Sequence, residues 1–256
     1  MGACVSAIFC AIPFALLAGV PAEKRPLPPS ASVQTPELAA CVKKAETSPK
    51  TALSDSETWL DHGGGPSAKL CQATARFYLG RFAEAGQQFE ELAPILAGQD
   101  SKHAAGLLAR AGWAWLLAGD STRAERVYST ALSRTPDDSD LYIDRAFARM
   151  DAKRPREAIE DLSQALKRSP KRAEAYYYRA AAWRAVNELG KALSDVEKAL
   201  EIRADYVEAL FLRGNLKALN NNIPSAIVDW RRVVRLAPDS EEGRKSQQNL
   251  TRSKSQ

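Results

Sequence analysis

Residue types that could carry out catalysis are few in this chain, and the most suggestive ones lie near residue 60. Asp61 is followed directly by His62. Two hydroxyl groups, those of Ser54 and Ser56, precede them. An acid, an imidazole and a hydroxyl are the groups of a nucleophilic triad, in which the imidazole activates the hydroxyl. Closeness in sequence does not bring such groups together in space, and neither serine stands in the strained turn that exposes a nucleophile. We therefore predict no catalytic residues.

Phosphate, metal and cofactor sites are not predicted either. The stretch "HGGGP" (62–66) is rich in glycine, but it lacks the preceding strand and the lysine of a phosphate-binding loop, so we interpret it as a flexible connection. The chain has only two histidines, His62 and His103. They and the four cysteines do not have the spacing of zinc ligands.

The charge pattern gives little support for nucleic acid as a partner. The 36 basic residues outnumber the 31 acidic ones, for a net charge of +5, but both signs are spread along the chain. The aromatic residues alternate with alanine, as on packed helix faces, and not with the lysine of a base-stacking surface. We therefore expect no nucleic acid as a partner.

The N-terminal segment has the features of an export signal. Residues 1–22 carry no charged side chain, and "VPA" ends at Ala22 with the small residues that signal peptidase requires. We expect cleavage after Ala22, export to the periplasm or the medium, and a proline-rich linker over 23–35. Two alternatives stay open, which are retention of residues 1–20 as a membrane anchor and lipidation at "MGACVS". Membrane association is expected only if the segment is not cleaved.

The rest of the chain repeats itself every 34 residues. The stretches "STALSRTP", "SQALKRSP" and "VVRLAP" end at Pro136, Pro170 and Pro238. The same step relates a column of small residues: Gly112, Ala146, Ala180 and Gly214. It also relates a column of larger ones: Tyr128, Leu162, Val196 and Trp230. Apolar residues recur at helical spacing, so each unit is predicted to be two helices in close contact, with the proline ending the second.

This period and these columns resemble the tetratricopeptide repeat (TPR) family. Four units are in register, over 105–138, 139–172, 173–206 and 207–240, and a fifth covers 66–99 after a five-residue insertion. We expect this fifth unit to be one residue short in its turn. Residues 36–65 are interpreted as a degenerate helical pair, and 241–256 as a capping helix with a basic tail. The resemblance implies an all-α, right-handed solenoid that binds a peptide or partner protein in its concave groove. With the export signal, it suggests an exported protein of bacterial type.

Charged residues also recur with the period. The basic column consists of Arg145, Arg179 and Arg213. The acidic column, sixteen residues later, consists of Asp161, Asp195 and Asp229. In the repeat 105–138 both columns are apolar, at Ala111 and Val127. In the repeat 66–99 we place Ala73 and Gln88 in these columns. Loss of both charges together is what a buried pair requires, because one partner alone would be an uncompensated charge. We therefore predict structural ion pairs across each helix pair.

The resemblance gives expectations for the cysteines and for the binding surface. Cleavage would leave Cys41 and Cys71, each on the first helix of its pair, and such helices are neighbours in a TPR stack, so we predict a disulfide. Two inert thiols are the alternative. A stripe on the first helices is expected to face the groove and bind large apolar anchors of a partner: Trp113, Leu116, Ile143, Phe147, Met150, Tyr177, Arg184, Phe211 and Asn215. The alternative is that these side chains pack against the next repeat.

Overall fold

The computed structural model describes residues 35–97 and 100–253, and every regular element in these ranges is an α-helix. The predicted signal segment and linker, except for Thr35, lie outside the described residues. The helices are α1 Pro36–Thr47, α2 Pro49–Asp61, α3 Gly65–Tyr78, α4 Phe82–Ala97, α5 Ser101–Leu117, α6 Ser121–Arg134, α7 Ser139–Asp151, α8 Pro155–Arg168, α9 Ala173–Ala185, α10 Leu189–Ile202, α11 Val207–Leu219, α12 Ile223–Leu236 and α13 Glu241–Arg252. None of the helices in these ranges is long and apolar enough to cross a membrane.

The chain divides into two compact units between Ala152 and Lys153. In the first unit, each of the helices α1 to α7 packs against the next one in sequence, and α1 also contacts α3 and α5 contacts α7. In the second unit, α8 to α13 follow the same pattern, with a contact between α11 and α13. In each unit, helices that are consecutive in sequence therefore pack side by side, the arrangement of an α-solenoid.

The turns inside the five pairs from α3–α4 to α11–α12 are all built in the same way. Three residues separate the two helices, and the middle one has a positive φ: Gly80, Gly119, Lys153, Asn187 and Asn221. Glycine and asparagine tolerate this left-handed backbone, which ends the first helix and reverses the chain. The turn between α3 and α4 has the same length as the others, so the predicted shortening of this turn by one residue in the repeat 66–99 is wrong. The five-residue insertion before the repeat 105–138 instead lengthens α5, which has 17 residues, against 13 in α7.

Close contact between the two helices of a pair depends on the small column. A Cβ atom at Gly112 would lie 2.6 Å from the ring of Tyr128, and one at Gly214 would lie 2.8 Å from the indole of Trp230. Glycine at these positions lets a large aromatic side chain lie directly on the backbone of the first helix. Where the small residue is Ala180, the facing residue is the smaller Val196, and both are fully buried.

The disulfide between Cys41 and Cys71 joins α1 to α3, with the two Cα atoms 5.8 Å apart. One apolar cluster shared by α1, α2 and α3 consists of the buried Ala45, Ala52 and Ala75, with Leu53 and Tyr78 packed against them. Closing a loop over a sequence separation of 30 residues stabilises the fold by about 3–4 kcal/mol on chain-entropy grounds.

Two of the three repeated arginine–aspartate pairs lie wholly within the second unit. Arg179 donates from Nε and Nη2 to the two carboxylate oxygens of Asp195, both at 2.7 Å. Arg213 does the same with Asp229, at 3.0 and 2.6 Å, and Lys217 adds a bond of 2.7 Å to that carboxylate. Two parallel bonds fix the angle between the helices as well as their distance. The third pair, Arg145 with Asp161, joins residues of different units and stays a prediction.

A neutral pair of glutamines occupies the same two columns in the repeat 66–99. Gln88 Nε2 donates to Gln72 Oε1 at 2.8 Å, sixteen residues earlier, and Arg76 bonds to the Gln88 oxygen at 2.6 Å. Gln72, and not Ala73, therefore occupies the arginine column. The assignment of Ala73 was wrong because it depended on the short turn that the structure does not have.

The pair of Arg179 and Asp195 should show strong coupling in a double-mutant cycle. We expect Asp195→Ala to lower the free energy of unfolding by about 3 kcal/mol, and by more than the double change Arg179→Ala with Asp195→Ala, because the single change leaves a largely buried charge uncompensated. Urea unfolding of the four proteins measures this difference.

The matched control is the exposed pair of Lys198 and Glu201, 2.7 Å apart on α10. The same cycle there should give a coupling of under about 1 kcal/mol, as for other solvent-exposed ion pairs. Equal couplings in the two cycles, or simple addition of the two losses at Arg179 and Asp195, would show that the buried pair does not hold the hairpin.

Candidate functional site

The residues near position 60 do not form a catalytic arrangement. The Ser56 hydroxyl donates to the backbone oxygen of Leu53 at 2.6 Å, and Ser56 is fully buried. The His62 ring nitrogen Nδ1 lies 2.7 Å from the backbone oxygen of Thr58, so that nitrogen carries the proton and donates it. Both polar groups thus stabilise the C-terminal part of α2. In the part of the chain that the structure describes, no group of His, Cys, Asp and Glu side chains is arranged to hold a metal ion.

Most of the predicted groove stripe lies inside the helical layer. Seven of its nine residues expose less than a tenth of their surface: Trp113, Ile143, Phe147, Met150, Tyr177, Phe211 and Asn215. Leu116 and Arg184 are partly exposed. A buried side chain offers little surface to a partner, which is the packing that the alternative interpretation describes. The role of the stripe in binding stays a prediction, and the accessible surface has to be sought next to it.

Asn215 shows how these side chains are used within the fold. Its Oδ1 accepts hydrogen bonds from Trp230 Nε1 at 3.0 Å and from Asn249 Nδ2 at 3.3 Å. Asn215 therefore connects α11 to both α12 and the final helix α13. This amide is engaged by its own chain and does not offer its oxygen to a ligand.

An open cleft of about 680 Å³ lies in the first unit, between the start of α5 and the connection from α6 to α7. One wall is Ser101, Lys102, Ala105, Gly106 and Ala109, and the other is Arg134, Thr135, Pro136, Asp137, Asp138, Asp140, Leu141 and Asp144. Small residues on α5 make the floor shallow and leave backbone within reach. The rim carries Lys102 and Arg134 together with several carboxylates, so it can bind both signs of charge.

The order of the cleft walls comes from helix capping. Asp100 accepts hydrogen bonds from the backbone of Lys102 and His103, which fixes the first turn of α5. Asp138 does the same for Asp140 and Leu141 at the start of α7. Two first helices of neighbouring repeats thus begin side by side, and their N-terminal turns form the cleft. This surface lies outside the predicted stripe, because the stripe follows the middle of the first helices and the cleft is formed by their first turns.

A second polar surface lies at the starts of first helices in the second unit. Three carboxylates, Glu174, Glu208 and Glu242, recur at the 34-residue step in the first turns of α9, α11 and α13. Glu174 pairs with Arg203 at 2.9 Å, and the Arg203 guanidinium lies 3.6 Å from the ring centre of Tyr206. Glu242 is 7 % exposed. Burial raises the pKa of Glu208, its backbone hydrogen bond and Arg203 lower this pKa, and the Glu242 carboxylate raises it.

One buried cation was not singled out from the sequence. Arg110 is 6 % exposed on α5, with its guanidinium 6.0 Å from the ring centre of Phe89. Burial lowers its pKa to about 10, while Tyr78 and Glu46 raise it. The available signal was an arginine within the apolar run "GLLARAGWAWLL", the same kind of signal that pointed to Arg179.

Comparison with known proteins agrees with this architecture. Residues 143–207 match the family model described as tetratricopeptide repeat. A search of the curated proteins found no match. Among solved structures, the thermophilic TPR protein TTC0263 of Thermus thermophilus is similar with a TM-score of 0.57 and 19% sequence identity, covering 73% of this chain and all of that one.

Two further structures have the same fold. MamA 41-end from Desulfovibrio magneticus RS-1 has a TM-score of 0.54 at 19% identity, covering 75% of this chain and 97% of that one. YrrB, described as a TPR protein with an unusual peptide-binding site, has a TM-score of 0.55 at 16% identity, covering 75% and 96%. The chain therefore has the all-α fold of tetratricopeptide repeat proteins, and residues 143–207 are a tetratricopeptide repeat segment.

Proposed function

We propose that this protein is a non-catalytic scaffold that binds an extended segment of a partner protein on the first-helix side of its repeats. The observation that carries the proposal is the cleft between α5 and α7. Its floor of Ala105, Gly106 and Ala109 is shallow enough for a peptide backbone to approach closely, and charges of both signs surround it. Such a surface recognises a polypeptide with alternating small and charged side chains.

The comparisons support the class of function. YrrB, a protein of the same fold, is described as having a peptide-binding site. The polar groups near residue 60 bind the backbone of α2, which leaves a binding role as the simplest use of this fold. An assembly factor of the cell envelope, tethered to the membrane by residues 1–20, is the alternative within the same class.

Charge reversal on the cleft rim should weaken partner binding without unfolding the protein. Affinity capture of the full chain from its native host, with mass spectrometry, supplies a candidate that is then purified and titrated by calorimetry. We expect Lys102→Glu with Arg134→Glu to weaken binding about tenfold or more, because charged groups at a binding surface contribute on this scale. Both side chains are exposed, so the melting temperature should stay close to that of the wild type.

Lys43→Glu with Lys50→Glu is the control, because it changes the charge equally at exposed positions of the first unit away from the cleft. This variant should bind like the wild type. Equal affinities for both variants would rule out the cleft, and the absence of any partner that binds the purified chain directly would rule out the scaffold.

Export is part of the proposal. It is supported by the uncharged segment 1–22 and by the bond between Cys41 and Cys71, since disulfides persist in oxidising compartments. Protein purified from the envelope or medium should begin at Glu23 and contain no free thiol, which N-terminal sequencing and thiol titration measure. A mature chain that starts at Met1 or Gly2, or one with two free thiols, would contradict this.

A further inference from the structure

Neighbouring second helices of the second unit present opposite charges to each other. A pocket of about 330 Å³ lies between α10 and α12, and Leu210 of α11 contributes to its floor. Glu197 and Glu201 of α10 line one side of this pocket, and Arg232 of α12 lines the other. Residues in these two columns of a second helix therefore face the second helix that follows, which here carries a charge of the opposite sign.

The helix α12 carries the reverse charge in the same two columns. One step of 34 residues after Glu197 and Glu201 stand Arg231 and Arg235, and both are exposed. The same step from Leu210 leads to Arg244 on α13, which is also exposed. The surface beside α12 and α13 therefore presents three guanidinium groups, where the preceding repeat has two carboxylates and an apolar floor.

The two arginines of α12 have no acidic partner within residues 153–253. No side chain in this range forms an ion pair or a hydrogen bond with Arg231 or Arg235. Asp239, the acid nearest to them in sequence, contributes its backbone oxygen to Arg244 and forms no ion pair. Like charges four residues apart on an exposed helix face repel each other. The chain thus keeps both cations on α12 at a small cost to its own stability.

An exposed apolar residue lies on the same face of α12. Val228 is 64 % exposed. It precedes the two arginines by three and seven positions, so the three side chains share one face of the helix. The same column holds Glu160 on α8 and Ser194 on α10, which are both polar. The face therefore suits a partner that brings acids and an apolar contact together.

We propose that this face of α12, formed by Val228, Arg231 and Arg235 with Arg244 beside it, binds an acidic helix of a partner protein. The partner helix lies next to α12 as α12 lies next to α10, with the signs of the facing charges exchanged. Acids four residues apart on that helix meet the arginines four residues apart on α12, and each guanidinium can donate two parallel bonds to a carboxylate. This surface is separate from the cleft of the proposed function, because it lies on a second helix of the second unit.

The chemistry of the face favours a protein helix over an anionic bilayer. A bilayer presents negative charge across a wide plane, which would also approach the exposed acids Glu197 and Glu201 of α10. A helix that binds in a membrane interface has a continuous apolar face. The large apolar residues that α12 exposes are Val228 and Leu236. A narrow acidic helix can contact the arginines without meeting the carboxylates of α10.

The test uses the full chain labelled with nitrogen-15 and a synthetic helical peptide of about 20 residues, long enough to form a helix in water. The peptide carries leucine along one face and, beside it, pairs of glutamates four residues apart. Amide signals of α12 and of the start of α13 should shift on titration. A peptide with glutamine in place of each glutamate should bind at least about tenfold more weakly, because the charge-assisted bonds are lost.

The variant Arg231→Glu with Arg235→Glu reverses the charge of the face. It should bind the glutamate peptide at least about tenfold more weakly than the wild type does, and it should instead bind a version with lysine in place of glutamate. Both side chains are exposed, so the melting temperature should stay close to that of the wild type. Lys167→Glu with Lys171→Glu is the control, because it changes the charge equally at exposed positions at the end of α8 and should bind like the wild type.

Equal binding of the glutamate and glutamine peptides would overturn the inference, as would undiminished binding by the Arg231 and Arg235 variant. Flotation with vesicles of phosphatidylglycerol and phosphatidylcholine tests the membrane, and vesicle binding that this variant loses would overturn the choice of a protein helix. A dimer in sedimentation that the variant abolishes would also overturn it, because a second copy of the chain would then be the occupant. None of these results tests the cleft in the first unit, whose partner is measured separately.

Discussion

The close approach of the two helices in each pair is the constraint on which the rest of this structure depends. One small residue on the first helix faces one larger residue sixteen positions later, and the two sizes compensate: Gly112 faces Tyr128, and Gly214 faces Trp230. The polar pairs lie one position earlier on both helices, as with Arg213 and Asp229. Once the apolar contact sets the register of a hairpin, the residues beside it can pair only in this way. The same register explains why Gln72 and Gln88 occupy the polar columns where charges are absent.

A framework that repeats so regularly gains specificity where one repeat departs from the others. The register brings the first turns of successive first helices side by side, so acids at one position of the repeat form a series. Arg203 forms an ion pair with Glu174, one member of that series, and Ala237 stands where the next repeat would carry the same arginine. The insertion that lengthens α5 acts in a similar way, because it extends one wall of the cleft at Ser101 and Lys102. The proposed binding surface therefore depends on a difference between repeats, while stability comes from what the repeats share.

The sequence predicted the features that depend on period alone, which are the helix pairs and the sixteen-residue spacing of the polar pairs, and the resemblance to the TPR family predicted the partner of Cys41. It did not predict which side of a first helix stays accessible. Apolar spacing of three and four residues marks a face that packs, but a first helix packs on its own partner and on its neighbours, and so Phe147 and Tyr177 are buried in the stripe assigned to the groove. The bond from Arg203 to Glu174 lies within the repeat 173–206, and it was missed because the next repeat has Ala237 in place of the arginine, so the pair forms no column.

The size compensation between Gly214 and Trp230 can be measured by introducing the residues that stand in the same columns of the repeat 139–172, which are Ala146 and Leu162. Gly214→Ala alone should be strongly destabilising, because its Cβ atom would lie 2.8 Å from the indole, and Trp230→Leu alone should leave a cavity. The double variant should be more stable than the sum of the two losses predicts, by about 1 kcal/mol or more in urea unfolding. Losses that simply add would contradict the account, because they would show that the two side chains do not set the approach of the helices together.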